Sequence, residues 1–352
     1  MNIIPQNLIK HASEEAVYNV YLYLINRLIP DENESFHSII NKLESTFLKN
    51  KSGRDFYRYK IIKEAIDKNV MLAFSKISNI TVSKNGLTCC TFTKPSGDIS
   101  VIFKGTGSGE WIDNGEGLSG IPEQNTYITY SNRSSLFYEK TVENDYATDQ
   151  QVEALNWFRK IASKNNWDTT TDITISGHSK GGNKAQFITI YSELIKNCYS
   201  YDGQGFSPEA LNSFKTNLGS KYYERREKIY SFSTENDYVN VLGKRIMPKD
   251  RIYFFESKYG FHYPEALLDN TGNLNPQTTQ GKLSGYVESV SNELMSLNPA
   301  IRKYATLGVM NIFQKYLGKG IPVNEDHVSL EKTVAGLSVA VGVFLKQLKK
   351  IK

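Results

Sequence analysis

Apolar residues recur at helical spacing through the first 80 positions. Val17, Val20, Tyr21, Leu24 and Leu28 share one face of a helix predicted over 12–28, with Ser13 as its cap and acidic residues next. Ile39, Ile40, Leu43 and Phe47 repeat the pattern over 35–48, and a third amphipathic stretch runs over 56–77. From about residue 80 the period changes. Short strands are predicted at 80–82, 87–93 and 99–104, the last two joined by a turn over Lys94-Pro-Ser-Gly-Asp98. Residues 113–145, rich in Gly, Asn, Ser and Tyr, are expected to form a long loop. A helix follows over 148–164, with Val152, Leu155, Phe158 and Ile161 on one face. Strands at 172–176, 198–201, 228–234 and 251–257 then alternate with helices at 183–196 and 208–218, and helix resumes after 280. Such alternation implies an α/β sheet, largely parallel, with helices on its faces. Three segments result: helical 1–79, an α/β core over 80–279, and helical 280–352.

Composition narrows the function classes. With 352 residues, 39% hydrophobic and 22% charged, the chain has a globular composition, which excludes disorder and a multi-span membrane protein. A net charge of +5, spread along the chain, gives no case for nucleic acid. Three cysteines without CxxC spacing offer neither a disulfide framework nor a cysteine-based zinc site. The first residues lack the basic head and apolar core of a signal peptide. The expectation is a cytoplasmic protein, or one exported without a cleaved N-terminal signal. The stretch from Leu330 has an apolar centre and a lysine-rich end. It fits peripheral contact with an anionic membrane, and equally a packed helix with a solvated basic end.

Candidate chemistry concentrates at Ile173-Thr-Ile-Ser-Gly177-His178-Ser179-Lys180-Gly181-Gly182-Asn183. It contains G-x-S-x-G between a β-branched strand and a helix, the context a nucleophile elbow needs. The bland alternative is a Gly-rich turn whose serine caps the helix. A serine hydroxyl needs a base. His11 and His37 precede the sheet, and His178 lies inside the elbow, beside the serine. His262, which leaves a late strand, is the favoured base; His327, between acidic residues and a terminal helix, is the other candidate. Asp237, after the strand at 228–234, is the favoured acid, with Asp202 as competitor. The oxyanion donors would be the N–H groups of Lys180 and of Thr106, in the Gly-rich loop after 99–104. The spacing Gly105-Thr-Gly-Ser-Gly109, with no P-loop lysine after it, argues against nucleotide binding.

Phe103-Lys-Gly-Thr106 with Trp111 and Asp113, then GHSKGG, then Asn236-Asp237-Tyr-Val239, resemble the class 3, fungal-type lipases of the α/β-hydrolases. GHSKGGN, Asp202-Gly-Gln-Gly-Phe206 and the segment from His262 to Asn273 are similar to a bacterial lipase-like family. The resemblance covers about residues 85–275. It implies an α/β-hydrolase fold; the helical segments outside it would be extra N- and C-terminal helices. It also implies a Ser179–His262–Asp237 triad, an oxyanion hole at Thr106 and Lys180, and ester hydrolysis, often of lipids, without a cofactor. Lys104 departs from the arginine common in fungal-type lipases. Two other classes stay open: a non-catalytic hydrolase-fold binding module, and an acyltransferase, thioesterase or peptidase on the same residues. The tyrosine-rich residues of 113–145, with Tyr127, Tyr130, Phe137 and Tyr138, suit either a lid over the site or a plain surface excursion.

Overall fold

The structure is a computed structural model. It describes residues 3–48, 51–83, 86–107, 110–121, 127–131, 139–143, 146–257, 260, 262–317, 336, 338–343 and 346. Its elements run in the order α1 (Gln6–Leu22), α2 (Phe36–Leu48), α3 (Gly53–Lys68), α4 (Val70–Ala73), β1 (Lys76–Val82), β2 (Thr88–Thr93) and β3 (Ile99–Phe103). Next come α5 (Trp111–Ser119), β4 (Tyr127–Ser131), β5 (Glu139–Glu143), α6 (Asp149–Lys164), β6 (Ile173–His178), α7 (Lys180–Tyr191) and β7 (Ile195–Tyr201). Then follow α8 (Pro208–Leu218), α9 (Ser220–Arg226), β8 (Ile229–Thr234), β9 (Ile252–Phe255), β10 (Gln277–Thr278), α10 (Lys282–Met295) and α11 (Pro299–Leu317).

An eight-stranded sheet has the order β1-β2-β3-β6-β7-β8-β9-β10. β3, β6, β7, β8 and β9 run parallel, while β1, β2 and β10 add antiparallel edges. This mostly parallel sheet, with a strand–turn–helix at its middle, is the α/β-hydrolase architecture expected from the motifs. Strand alternation divides the core between two faces. Cys89, Val101, Phe103, Ile173 and Ile175 pack with residues of α6, α7 and α8, whereas Cys90, Phe92, Ile102, Tyr199 and Phe232 pack with α1, α2 and α3. The adjacent cysteines therefore face opposite ways, and both are free.

The N-terminal helices supply the covering layer of one sheet face. Tyr18 stacks on Phe92 at 4.2 Å between centroids, and Phe36 packs against both Tyr21 and Phe92. A buried polar knot fastens α1 to the central strands. Glu15 accepts hydrogen bonds from the hydroxyls of Ser100 and, at 3.1 Å, Ser176, and lies 3.5 Å from the Lys94 ammonium. Asn19 donates to Ser176 Oγ at 2.9 Å, and the Tyr201 hydroxyl donates to the Ala12 carbonyl at 2.5 Å. Burial raises the Glu15 pKa, and Lys94 and the two serines oppose that shift.

Several boundaries differ from the sequence expectation. The first helix begins at Gln6 and ends at Leu22; Ser13 lies inside it and donates to the Ile9 carbonyl rather than capping. The third amphipathic stretch stops at Lys68, because Asn69 turns extended and caps the next helical turn, which leaves Ile77 in β1. The helix expected over 183–196 starts at Lys180 and ends at Tyr191, and Lys196 belongs to β7. The long loop expected over 113–145 contains α5 and the β4–β5 hairpin. Two glycines lower the helix propensity of α5, and packing overrides them. α11 descends onto α5 at Gly115, where a Cβ would lie 3.0 Å from Met310 Cγ. Fully buried Arg302 of α11 donates to the Ser119 carbonyl at 2.9 Å and the Met295 carbonyl at 2.7 Å, and pairs with Glu209 of α8. Phe137, Tyr138, His327 and most of the stretch from Leu330 lie outside the described residues. No described helix is long and apolar enough to cross a membrane.

Removing Glu15 tests the knot. Glu15→Ala leaves two buried hydroxyls without their acceptor and Lys94 with Glu14 alone, so urea unfolding should show a loss of roughly 3 kcal/mol. A loss below about 1 kcal/mol would mean that the knot adds little to stability.

Candidate active site

β6 ends at His178, and α7 begins at Lys180. Between them Ser179 has φ 59° and ψ −124°, a conformation that L-residues avoid. Such a residue stores about 1–3 kcal/mol and persists only where its surroundings enforce it. Here they do. A Cβ at Gly177 would collide with the Gly181 backbone, and one at Gly181 with the Phe103 carbonyl, so only glycines allow strand, turn and helix to approach this closely.

The turn presents the Ser179 hydroxyl to His262. Ser179 Oγ donates to His262 Nε2 at 2.9 Å, and His262 Nδ1–H donates to Asp237 Oδ2 at 2.6 Å. Asp237 leaves β8 and is fully buried; its other oxygen accepts from the backbone N–H groups of Val239 at 2.8 Å and Asn240 at 2.6 Å. Both carboxylate oxygens are thus occupied, which fixes the direction in which the acid faces the imidazole. A serine, an imidazole and a carboxylate in this line can move a proton from hydroxyl to imidazole while the carboxylate steadies the resulting cation.

Asp202, the competing acid, follows β7 and lies against His178. It is fully buried; Oδ1 accepts from the Thr234 N–H at 2.9 Å, and Oδ2 lies 3.7 Å from His178 Nε2. Burial, and then the charge of Asp237, push its carboxyl well above the ordinary carboxylate range. His178 sits beneath His262, ring centroids 4.9 Å apart, with Nδ1 2.7 Å from the Tyr23 hydroxyl. Burial, then His262 and Arg58, hold it well below the ordinary histidine value, so it stays neutral. His178, Asp202 and His262 offer potential metal-ligand atoms within 4.8 Å of one another. Both ring nitrogens of His262 are already engaged by Asp237 and Ser179, which leaves His178 and Asp202 packed against that line.

The loop expected to carry the second oxyanion donor lies against the nucleophile. A Cβ on Gly105 would sit 3.2 Å from Ser179 Cβ, and Thr106 Oγ1 accepts from Asn114 of α5 at 3.0 Å. Two buried lysines from α7 clamp the loop. Lys180 pairs with Asp113, and Lys184 pairs with Glu110, whose carboxylate also accepts the Gly107 N–H. Asp113 further accepts from the Thr148 hydroxyl at 2.9 Å and the Gln150 N–H at 3.1 Å. Glu110, Lys184 and Tyr23 were not singled out from the sequence. Two lysines four residues apart on a helix that must be buried are a usable signal for the clamp. Nothing local marks Tyr23.

A family model described as Mbeg1-like matches residues 132–237, a segment that holds the elbow and Asp237 and stops before His262. No curated protein gives a significant match. Among solved structures, the chain is similar to a mutant of the MDLA protein of Penicillium cyclopium, with TM-score 0.42, 9% identity, and coverage of 80% of this chain and 92% of that one. It is also similar to a fungal lipase in an inhibitor complex, with TM-score 0.33, 11% identity, and coverage of 73% and 81%.

The protonation of Asp202 predicts a pH dependence. In the unfolded chain this carboxyl ionises near 3.8, whereas the folded protein keeps it protonated to higher pH. Folding then takes up a proton, so stability falls as pH rises above that value. Asp202→Asn removes this contribution. Urea midpoints measured from pH 4 to 8 should favour the variant increasingly over wild type, by up to about 1.4 kcal/mol per pH unit inside the window. Parallel curves would mean that Asp202 ionises in the fold.

Proposed function

We propose that this chain is a serine carboxylic ester hydrolase that acts on lipid esters, as a lipase or phospholipase. One observation carries the reading: a strained serine that starts α7 without capping it stands within hydrogen-bond reach of an imidazole whose far nitrogen is held by a buried carboxylate. In the first step Ser179 Oγ attacks the ester carbonyl as His262 Nε2 takes its proton. The oxygen that gains charge is stabilised by the N–H groups of Lys180 and Thr106. His262 then returns the proton to the leaving alcohol, and an acyl-enzyme remains. Water, deprotonated by the same imidazole, releases the acid and restores the serine. Asp237 holds the imidazole tautomer throughout and does not take the proton.

The lipid part of the reading draws support from the rim. Tyr238, 45% exposed, places its ring 5.4 Å from that of His262. Leu283, 41% exposed, lies in the first turn of α10, and its N–H donates to Asn236 Oδ1 at 3.1 Å. An exposed aromatic ring beside the candidate base suits an acyl chain better than a polar acid. The resemblance to class 3 lipases points the same way. A binding module would have no use for the strain stored at Ser179.

The expected outcome is a graded loss of p-nitrophenyl ester turnover. Ser179→Ala and His262→Ala should each lower kcat by about 10,000-fold or more, and Asp237→Asn by a similar order. Asp202→Asn should cost less than about tenfold, since Asp202 does not contact the imidazole hydrogen-bond line. Full activity in Ser179→Ala would end this reading. Acylated alcohol rather than free acid as the main product would move it to an acyltransferase.

A further inference from the structure

Cations gather on one side of the candidate nucleophile. Lys104 follows β3 and immediately precedes Gly105, the residue packed on Ser179. Its Nζ lies 5.2 Å from the Tyr23 ring centroid, and Arg58 Cζ lies 4.9 Å from the same centroid, so two cations flank one ring. Arg54 Cζ sits 3.4 Å over the ring of Tyr263, the neighbour of His262. The carboxylates nearby are already engaged. Glu265 accepts from Arg58 at 2.9 Å and lies 3.5 Å from Arg54; Asp55 pairs with Arg27 at 2.6 Å and Arg58 at 3.2 Å; Glu110 pairs with Lys184. Arg27, Arg54, Arg58 and Lys104 therefore face Asp55 and Glu265, an excess of two positive charges. Among the described residues the Lys104 ammonium donates no hydrogen bond and forms no ion pair; Glu110 and Asp55 act on its charge only from a distance.

This arrangement works against stability. Burial of the Lys104 ammonium, and then the charge of Arg58, lower its pKa, while Glu110 and Asp55 oppose the shift. A half-buried cation that shares the Tyr23 ring with a second cation, on the residue before Gly105, fits an anion that arrives with the substrate. We propose that Lys104, backed by Arg58 and Arg54, forms a phosphate subsite beside Ser179 that selects phospholipid esters over neutral glycerides. The inference rests on the ester-hydrolase reading of Ser179 and supplies its substrate class.

Short-chain substrates kept monomeric remove any effect of a charged surface. The test compares kcat/KM for dihexanoyl phosphatidylglycerol with that for dihexanoylglycerol on the full chain. Wild type should prefer the phospholipid by tenfold or more, and the preference should shrink as salt rises from about 20 to about 500 mM. In Lys104→Met the preference should fall at least tenfold. Lys104→Arg, which keeps the charge, should hold it within threefold. A wild type that hydrolyses both esters without preference overturns the subsite, and that result stands even if the Met variant does not fold. Equal losses on both substrates in a folded Lys104→Met also overturn it. Turnover of neither ester by wild type would instead overturn the hydrolase reading, and the subsite with it.

Discussion

The backbone at Ser179 is the constraint on which the rest of the site depends. A non-glycine residue at φ 59° will relax unless the chain on both sides is fixed. Three packing relations fix it. Gly177 and Gly181 let β6 and α7 meet without side chains between them, Gly105 brings the loop after β3 against the serine, and the N–H of Ser179 donates to the Tyr201 carbonyl at 2.8 Å. Each relation uses a different element, so the turn is over-determined, and the hydroxyl is held where the imidazole can reach it.

The same logic explains why so much charge lies inside this protein. Lys180 and Lys184 are buried on α7, and Glu15, Asp113 and Glu110 are buried opposite or nearby. Buried pairs add little net stability compared with apolar packing, but they tolerate few alternative geometries. Here they join segments that must keep their spacing: α7 to the loop and start of α5, and α1 to the floor of β6. α11 extends the scheme by placing Arg302 over the end of α5. The helices outside the α/β core are thus continuous with the packing that holds the loop beside Ser179. Tyr23, just after α1, reaches His178 across 155 positions.

How far the sequence foretold this depends on whether a feature is local. The elbow was readable because a β-branched strand, a glycine-flanked serine and a helix are consecutive. His262 and Asp237 were reached by elimination and by strand order, and the structure sets both in line with Ser179. Asp202 competed with Asp237 because both follow strands. What separates them is the carboxylate's direction, fixed by Val239 and Asn240 for one and by Thr234 for the other. α5 was invisible because its glycines read as loop, while the contacts that hold it, with α11 at Gly115 and with Lys180 at Asp113, come from far along the chain. The start of α7 was placed three residues late, since Gly181 and Gly182 look like turn residues when the Ser179 geometry is unknown.

The central claim is that Ser179 is a nucleophile made reactive by His262. A fluorophosphonate probe followed by peptide mass spectrometry tests it most directly. The account predicts one adduct, on the peptide that contains Ser179, and near-complete loss of that adduct in His262→Ala. Folded wild-type protein that stays unmodified, or that reacts equally well without the histidine, would contradict it.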